Sequence, residues 1–255
     1  MKLSDRTILV TGGASGIGLA LAKAFVARGN KVIICGRSES KLAAARERLP
    51  ALQTIACDLS HAEDRIRLAE TLAADHPSLD VLVNNAGIMN RLDLSGDADT
   101  VMRAAEAEFA TNLTAPIHLS LLLLPRLRAL REAAIVNVGS GFAYVPGSPV
   151  PIYSASKAAL HSFTRSLRRQ LANTAVGVFE VMPPVVDTEM TKGFSGAKWT
   201  PEAVAEAVIH GLAASTAAIR VGSTGVIYHL SRVAPEFFFH TLSKAMDEQP
   251  TPKLS

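Results

Sequence analysis

The chain has 255 residues, of which 48% are hydrophobic and 19% charged, so it can bury a large core and lacks the composition of a disordered protein. The net charge is only +3 and the Lys and Arg residues are scattered, which argues against a nucleic-acid partner. The most apolar segment, residues 119–124, is far too short to span a membrane. Two cysteines within apolar runs and an N-terminus without a signal-peptide pattern favour a cytoplasmic protein.

Strands and helices are predicted to alternate along the whole chain. Short apolar runs predict strands at residues 8–10, 31–37, 54–57, 79–83, 134–138, 176–182 and 218–221. Helix-forming segments lie between them, at residues 19–28, 39–49, 60–76, 98–131 (as two helices), 152–171 and from 201 onwards. Two helix starts carry their own signal: Ser60 with Glu63 has the spacing of a capping box, and Thr200 before Pro201 is typical of a first turn.

This alternation predicts an α/β protein. Because parallel strands need a crossover connection, usually a helix, the pattern favours a mostly parallel sheet of about seven strands with helices on both faces. No linker or repeat divides the chain, so we predict one doubly wound, Rossmann-type domain over residues 1–255, with an unusual C-terminal tail from about residue 223. In such sheets ligands bind beyond the carboxyl ends of the strands, so the residues that follow the strands are the candidates for function.

The first strand runs directly into a cluster of glycines, TGGASGIG, at residues 11–18. Gly12, Gly16 and Gly18 lie between this strand and a helix-forming segment that stops at Gly29. Backbone N–H groups at the start of such a helix attract an anion, and glycine lets a pyrophosphate approach the backbone closely. The alternative is a turn that serves packing alone, since the spacing departs from the common G-x-G-x-x-G pattern.

Tyr153 and Lys157 are four residues apart in a predicted helix, so their side chains share one face. A tyrosine hydroxyl has a pKa near ~10, and an ammonium beside it stabilises the phenolate and lowers that pKa toward the neutral range. Ser140 follows the fifth strand and is predicted to project into the same crevice, where its hydroxyl can donate to a carbonyl oxygen. The alternatives are a chance Tyr–Lys pair on a surface helix and an ordinary serine in a turn.

Taken together and in this order, these motifs resemble those of the short-chain dehydrogenase/reductase family. The resemblance covers residues 7–188 and adds Asn112. It implies that Tyr153 is the general acid for carbonyl reduction and the base in the reverse reaction, and that Ser140 polarises the carbonyl. Lys157 is implied to lower the pKa of Tyr153 and to hold the nicotinamide ribose. Asn112 is implied to support a water-linked proton relay to that lysine.

The resemblance also implies a dinucleotide site. At the end of the second strand, the position where an NAD binder carries an acidic residue is Gly36, which Arg37 follows. A guanidinium attracts the 2′-phosphate of NADP, so NADP is the predicted cofactor. The alternatives are an ordinary exposed arginine at position 37 and a helix-start role for Asp58, whose implied contact is the adenine. The residues implied to bind the cofactor are Gly12, Ser15, Gly16, Ile17, Gly18, Arg37, Asp58, Leu59, Asn84, Ala86, Gly87, Tyr153, Lys157, Pro183, Val186 and Thr188.

Two departures from the family pattern affect the predictions. Pro184 stands where members usually carry glycine after the sixth strand, which stiffens that turn. Many members carry a glycine- and aspartate-rich motif at the seventh strand, whereas here an apolar tail follows Gly222. We therefore expect a homo-oligomer, with a dimer through the helices near residues 110–130 and 152–171 favoured over the usual tetramer.

The leading hypothesis is an NADP(H)-dependent oxidoreductase for a small, mainly apolar carbonyl compound or secondary alcohol, without a metal site. Residues 141–145 and 233–239 are the candidate pocket segments, and Lys192 and Lys198 are the only obvious cations for a substrate anion. Alternatively, the three phenylalanines at 237–239 pack a helix or an interface. A second hypothesis is a non-catalytic dinucleotide sensor or scaffold, since fold alone does not determine function.

Overall fold

A computed structural model of the protein describes residues 1–247. The strands are β1 (Thr7–Thr11), β2 (Lys31–Gly36), β3 (Leu52–Ala56), β4 (Leu79–Asn84), β5 (Ala133–Val138), β6 (Val176–Met182) and β7 (Ala218–Arg220). The α-helices are α1 (Gly16–Val26), α2 (Glu39–Arg48), α3 (Ala62–Asp75), α4 (Ala98–Phe109), α5 (Ala115–Arg128), α6 (Pro151–Gln170), α7 (Pro201–Ala213), α8 (Thr224–Val233) and α9 (Pro235–Asp247). A π-helical turn, Ala110–Thr114, joins α4 to α5, and short 3₁₀ turns occupy Gly141–Ala143 and Glu189–Thr191.

The seven strands form one sheet in the order β3-β2-β1-β4-β5-β6-β7, and every neighbouring pair is parallel. The strand order reverses between β1 and β4, and such a reversal opens a crevice at the carboxyl ends of the strands. The predicted doubly wound α/β fold is confirmed, including the number of strands and their parallel direction.

Successive residues of each strand face two different packed layers, as the pleat of a strand requires. Val10 and Ile34 belong to the layer that α1, α2 and α7 cover, with Phe25 of α1 fully buried in it. Leu9 and Ile33 belong to the opposite layer, which α3, α5 and α6 cover. Burial on both faces explains why these strands appear in the sequence as continuous apolar runs rather than as alternating patterns.

One predicted helix start is wrong. The capping box expected from Ser60 does not form, because α3 begins at Ala62 with His61 as its N-cap residue. Ser60 instead donates its hydroxyl at 2.7 Å and its N–H at 2.9 Å to Oδ1 of Asp58. The Asp58 carboxylate therefore holds this turn from its own side, and Asp64, in the first turn of α3, holds it from the helix by accepting the N–H of Asp58 at 2.9 Å.

The chain after β7 continues as two helices, α8 and α9. The hydroxyl of Thr224 anchors the first of them by donating to the carbonyl of Met182, at the end of β6, at 2.8 Å.

At the start of α7, the predicted cap is confirmed, since the Thr200 side chain accepts the N–H of Ala203 at 3.1 Å. None of the helices within residues 1–247 combines the length and the apolar character needed to cross a membrane.

Candidate active site

A cleft of about 350 Å³ opens at the carboxyl ends of the strands. Most of the predicted cofactor residues line it, namely Gly12, Ser15, Gly16, Ile17, Gly18, Arg37, Asp58, Leu59, Ala86, Gly87, Tyr153, Lys157, Pro183 and Thr188. Asn84 and Val186 are buried outside its wall. The fold thus brings residues that are more than 170 positions apart into one site.

The glycine turn between β1 and α1 fits a bound pyrophosphate. Gly12 and Gly16 have φ angles of +63° and +52°, in the left-handed region that favours glycine. A Cβ atom on Gly18 would lie 2.4 Å from the carbonyl oxygen of Gly12, so a larger residue requires a shift of the backbone. The first turn of α1 contains no acidic residue, which leaves the positive end of its dipole available to an anion in the cleft.

Asn85, rather than Asn84, holds the turn after β4 against the glycine turn. Its Nδ2 donates to the carbonyl of Thr11 at 2.9 Å and to that of Gly12 at 3.3 Å, and the residue lines the cleft. Asn84 lies beneath the cleft, where its Nδ2 donates to Oδ1 of Asn137 at 2.8 Å and ties β4 to β5. Asn84 was the asparagine implied to bind the cofactor, but its neighbour Asn85 is the one that lines the cleft, and the sequence alone did not distinguish the two.

Polar side chains gather where β2 ends. Arg37, Ser38 and Lys41 all line the cleft, and the last two were not selected from the sequence. Ser38 caps α2 by accepting the N–H of Lys41 at 3.3 Å, so the first turn of α2 brings a second cation to this end of the cleft. The spacing of four between Arg37 and Lys41, at a helix start, was the sequence signal that could have identified Lys41.

The carboxylate of Asp58 also lines the cleft. Burial raises the pKa of Asp58, but hydrogen bonds from Ser60 outweigh this effect and lower the pKa below its ordinary value.

Tyr153 and Lys157 both reach the cleft from one face of α6, as their spacing predicted. Burial raises the pKa of the Tyr153 hydroxyl to about 12, and a hydrogen bond with Ser140 works in the opposite direction. The Ser140 oxygen also accepts the N–H of Phe142 at 3.2 Å, which fixes this serine in the turn after β5. At neutral pH Tyr153 therefore carries its proton, the state that a general acid requires.

Lys157 is buried, and burial lowers its pKa to about 8, while the charge of Glu180 acts in the opposite direction. Its Nζ donates to the carbonyl of Val138 at 2.7 Å and lies 5.7 Å from the centroid of the Tyr153 ring. The ammonium was expected to lower the pKa of Tyr153, but that pKa is raised. The ammonium donates its hydrogen bond to Val138, and burial is the largest influence on the pKa of the phenol.

The π-helical turn between α4 and α5 contains Asn112, in a conformation often found at functional sites. Its side chain accepts the N–H of Ile88 and donates to the carbonyl of Ile88, each at 2.8 Å. A Cβ atom on Gly87 would lie 3.2 Å from Oδ1 of Asn112 and 3.7 Å from Nζ of Lys157, so both side chains converge on that glycine. The two partners of the predicted relay thus lie close together.

An apolar cluster adjoins Tyr153. Val150 and Phe194 are buried together with it, and Leu242 of α9 packs against the same cluster. Residues 233–239 of the C-terminal tail were the expected pocket segment, but Phe237 is 69% exposed, and it is Leu242, further along the described tail, that packs against this cluster. Which turn of a C-terminal helix faces a site depends on how that helix docks, which its sequence does not specify.

Sequence reasoning also missed a cation beside this cluster. The guanidinium carbon of Arg91, in the loop after β4, lies 5.3 Å from the centroid of the Phe194 ring. The two lysines expected here are engaged in their own loop, since Lys192 forms an ion pair at 2.8 Å and Lys198 donates to a backbone carbonyl at 2.8 Å. A single arginine within a loop forms no pattern that would have marked it in advance.

Neither metal nor thiol chemistry has a candidate in the described part of the chain. Residues 1–247 contain no group of three or more His, Cys, Asp or Glu residues placed to hold a metal ion. Cys35 and Cys57 are buried free thiols, and burial raises the pKa of Cys57 to about 11 and that of Cys35 further. Raised pKa values leave both cysteines as thiols at neutral pH, where they are poor nucleophiles.

Residues 6–199 match the family model described as short chain dehydrogenase, a range that holds the glycine turn and the residues Asn112, Ser140, Tyr153 and Lys157. The chain belongs to the short-chain dehydrogenase family of oxidoreductases. Among its relatives is the uncharacterized oxidoreductase DltE of Bacillus subtilis (strain 168), 46% identical over 192 residues, which cover 75% of this chain and 76% of DltE.

Solved structures of this family share the fold. A short chain dehydrogenase from Burkholderia cenocepacia J2315, in complex with NADP, superposes with a TM-score of 0.84 at 26% identity, over 95% of this chain and 99% of that one. The 3-ketoacyl-(acyl-carrier-protein) reductase from Brucella melitensis, complexed with NADH, superposes with a TM-score of 0.79 at 26% identity, over 86% and 98%. Similar folds therefore accommodate either dinucleotide, so the choice depends on side chains.

Proposed function

We propose that the protein is an NADP(H)-dependent oxidoreductase that reduces a small, mainly apolar ketone or aldehyde, or oxidises the corresponding alcohol. The observation that carries this proposal is the one cleft shared by the glycine turn, Arg37, Tyr153 and Lys157. The NADP complex of the Burkholderia cenocepacia relative supports it. A non-catalytic sensor or scaffold is the weaker alternative, because the chain keeps Ser140, Tyr153 and Lys157 together.

The side chains suit a division of labour in carbonyl reduction. NADPH, when bound, supplies the hydride that the carbonyl carbon receives. Tyr153 gives its phenolic proton to the carbonyl oxygen, and its raised pKa, about 12, keeps that proton available at neutral pH. The Ser140 hydroxyl donates to the same oxygen and orients it. Lys157 holds the nicotinamide ribose, and Asn112 supports the return of a proton through Lys157.

Turnover with a substrate panel tests the proposal. The loss of NADPH absorbance is followed with neutral ketones, aldehydes and quinones, and NADPH binding is titrated in parallel. Turnover of at least one class supports an oxidoreductase. Tight NADPH binding without turnover of any compound would instead favour the sensor or scaffold.

Cofactor preference is expected to depend on Arg37. We expect NADPH to bind at least ~10-fold more tightly than NADH, about 1.4 kcal/mol, because the guanidinium pairs with the 2′-phosphate. Arg37→Ala is expected to remove most of this difference by weakening NADPH binding alone. Fluorescence titration of both cofactors with both proteins measures the effect.

Two further variants make this test specific. Lys41→Ala, at the same end of the cleft, is expected to weaken NADPH binding less than Arg37→Ala does. Arg46→Ala removes an arginine from the last turn of α2, outside the wall of the cleft, and is expected to leave both affinities unchanged. Equal affinity of the unmodified protein for NADPH and NADH contradicts the assignment.

Substrate selectivity is expected to depend on Leu242, which packs against the apolar cluster that contains Tyr153. We expect Leu242→Ala to raise KM for a larger apolar ketone about five-fold at similar kcat, as loss of about 1 kcal/mol from a partly buried leucine would. A series of ketones of increasing apolar size measures the effect. Phe237→Ala, on the exposed part of the same helix, is the matched control and is expected to change nothing.

The charge of the ketone is the second variable in this substrate series. Neutral ketones are compared with acidic ones of matched reactivity. A higher kcat/KM for the acidic compounds contradicts a mainly apolar substrate, and Arg91, beside the Phe194 ring, is then the cation to substitute.

We also propose a homodimer formed through α5 and α6. Leu121 of α5 is 55% exposed, and α6 presents the exposed small residues Ala155 and Ala158. Small and apolar exposed side chains on long helices suit helix-to-helix packing between two copies. Sedimentation analysis of the full chain measures the assembly, and a monomer at micromolar concentration contradicts it.

A cytoplasmic location and a single-domain organisation remain predictions. The two free thiols, Cys35 and Cys57, support a reducing compartment. Cell fractionation with an antibody against the chain tests the first prediction, and a single cooperative unfolding transition tests the second.

A further inference from the structure

Beneath the cleft, three neighbouring strands place polar residues at one register position. Asn84 of β4 pairs with Asn137 of β5, and Asn137 pairs with Glu180 of β6. All three side chains are at most 2% exposed. The amide of Asn137 also donates to Thr164 of α6 at 2.9 Å. A buried amide in such a row needs only hydrogen-bond partners, whereas a buried carboxylate costs much more unless a cation or strong donors face it.

The partner of Glu180 comes from the helix that carries the catalytic pair. Both carboxylate oxygens lie 2.9 Å from Nδ1 of His161. An ionised carboxylate only accepts hydrogen bonds, so Nδ1 carries the proton and donates it. His161 follows Lys157 by one turn of α6, so the two side chains share a helix face. The carboxylate therefore faces the part of α6 from which Lys157 projects.

The carboxylate also contacts the segment that holds the lysine in place. A Cβ atom on Gly139 would lie 3.5 Å from Oε1 of Glu180. The preceding residue, Val138, provides the carbonyl that accepts the Nζ of Lys157 at 2.7 Å. The negative and the positive group are thus both set against consecutive residues of one buried segment, where water screens charges poorly.

We propose that Glu180, oriented by His161, is a positioning residue for Lys157: its buried negative charge keeps the lysine an ammonium and keeps it in place at the wall of the cleft during turnover. This inference rests on the proposed function. The role of Glu180 differs from that of Asn112, whose side chain approaches Lys157 near Gly87 and supports the proton relay. Glu180 acts through its charge and exchanges no proton with the reacting groups.

Other charged and titratable groups surround this carboxylate. On α6, Arg168 donates through Nε to a backbone carbonyl of β6 at 2.7 Å. From the loop after β5, the ring of Tyr144 meets that of His161 edge-on, with centroids 5.4 Å apart, and Arg220 of β7 lies 6.0 Å from the Tyr144 ring. Glu108 of α4 belongs to the surroundings of Tyr153 instead, where its charge raises the pKa of the phenol. The charge of Glu180 is the one that opposes the effect of burial on the pKa of the lysine.

The test compares the pH dependence of wild-type protein and Glu180→Gln. Loss of the negative charge makes the ammonium of Lys157 easier to deprotonate, so the alkaline limb of the kcat profile is expected to move to lower pH by about one unit. The NADPH dissociation constant, titrated by fluorescence without substrate, is expected to begin rising at a correspondingly lower pH.

Three further variants separate charge from structure. Glu180→Met also removes the charge, keeps an apolar side chain of similar length, and is expected to give the same shift, so it serves where the glutamine variant fails to fold. Glu180→Asp keeps the negative charge, so its alkaline limb is expected to lie closer to the wild-type position than the limbs of the two neutral variants do. Thr164→Val removes a buried hydrogen bond of the same row without a change of charge, and is expected to leave the limb in place.

The positioning role and the proposed function are overturned by different outcomes. An unshifted limb in a neutral Glu180 variant that folds and reduces carbonyl compounds overturns the positioning role, as does an equal shift in Thr164→Val. A wild-type protein that binds NADPH but turns over no substrate overturns the proposed function instead. In that case the pH dependence of NADPH binding still tests the influence of Glu180 on Lys157.

Discussion

Tyr153→Phe is expected to lower kcat by roughly 10² or more and to leave the NADPH dissociation constant within a few-fold of wild type, because the substitution removes one positioned proton. The phenol is buried beside Ser140, and its pKa, raised to about 12, keeps it protonated where the enzyme is expected to work. Steady-state kinetics with the best ketone of the panel and fluorescence titration of NADPH measure the two quantities separately.

A matched control for this substitution lies elsewhere in the chain. Tyr228→Phe removes a tyrosine hydroxyl from α8, where the ring packs against Arg220 with 3.9 Å between the guanidinium carbon and the ring centroid. It is expected to leave kcat within two-fold of wild type. Wild-type turnover by Tyr153→Phe would show that the proton comes from another group, and the acid assigned to Tyr153 would be withdrawn.

The pKa of Tyr153 also affects how fast the reaction runs in each direction. Reduction needs the protonated phenol, which is present at neutral pH and is lost only as the pH rises toward the pKa of Tyr153, about 12. Oxidation of an alcohol needs the phenolate, so its rate is expected to rise with pH over the neutral and alkaline range until the phenol has titrated or Lys157 loses its proton. We therefore expect the reductive activity to exceed the oxidative activity near neutral pH, as initial rates in the two directions would measure.

The fold and the main residues of the cleft were predictable because they depend on local sequence and on one topological rule. The apolar runs marked the strands, and Gly12, Arg37, Ser140 and Pro183 each follow one of them. In a parallel sheet all these positions meet at one edge, so their proximity followed from the fold class alone. The spacing of Tyr153 and Lys157 needed only the geometry of a helix.

The remaining parts of the site depend on contacts between distant segments, which no local pattern encodes. Leu242 reaches the apolar cluster around Tyr153 only because of how α9 docks, and Arg91 adjoins Phe194 only because two loops meet. Glu180 looked like an isolated charge within an apolar strand. Its role depends on the packing of α6 over β6, which brings His161 within hydrogen-bond distance of its carboxylate.

Lys157→Ala is expected to impair both binding and catalysis. We expect the NADPH dissociation constant to rise at least ~10-fold through loss of the contact with the ribose, and kcat to fall by roughly 10² or more because the proton relay is broken. The same kinetic and fluorescence measurements apply. Lys157→Met keeps most of the apolar stem without the ammonium and is expected to behave in the same way, which separates loss of charge from the cavity that alanine leaves.

The pattern of the two effects identifies what the lysine does. A fall in kcat with unchanged NADPH binding would limit Lys157 to the proton relay, whereas weaker binding with unchanged kcat at saturating NADPH would limit it to the ribose. Because its Nζ donates to Val138, thermal unfolding of each variant must accompany the kinetics, since an unpaired buried carbonyl costs about 1–3 kcal/mol. A folded Lys157→Met protein with wild-type kcat and wild-type affinity for NADPH contradicts both roles, and the ammonium would then serve only to satisfy the carbonyl of Val138.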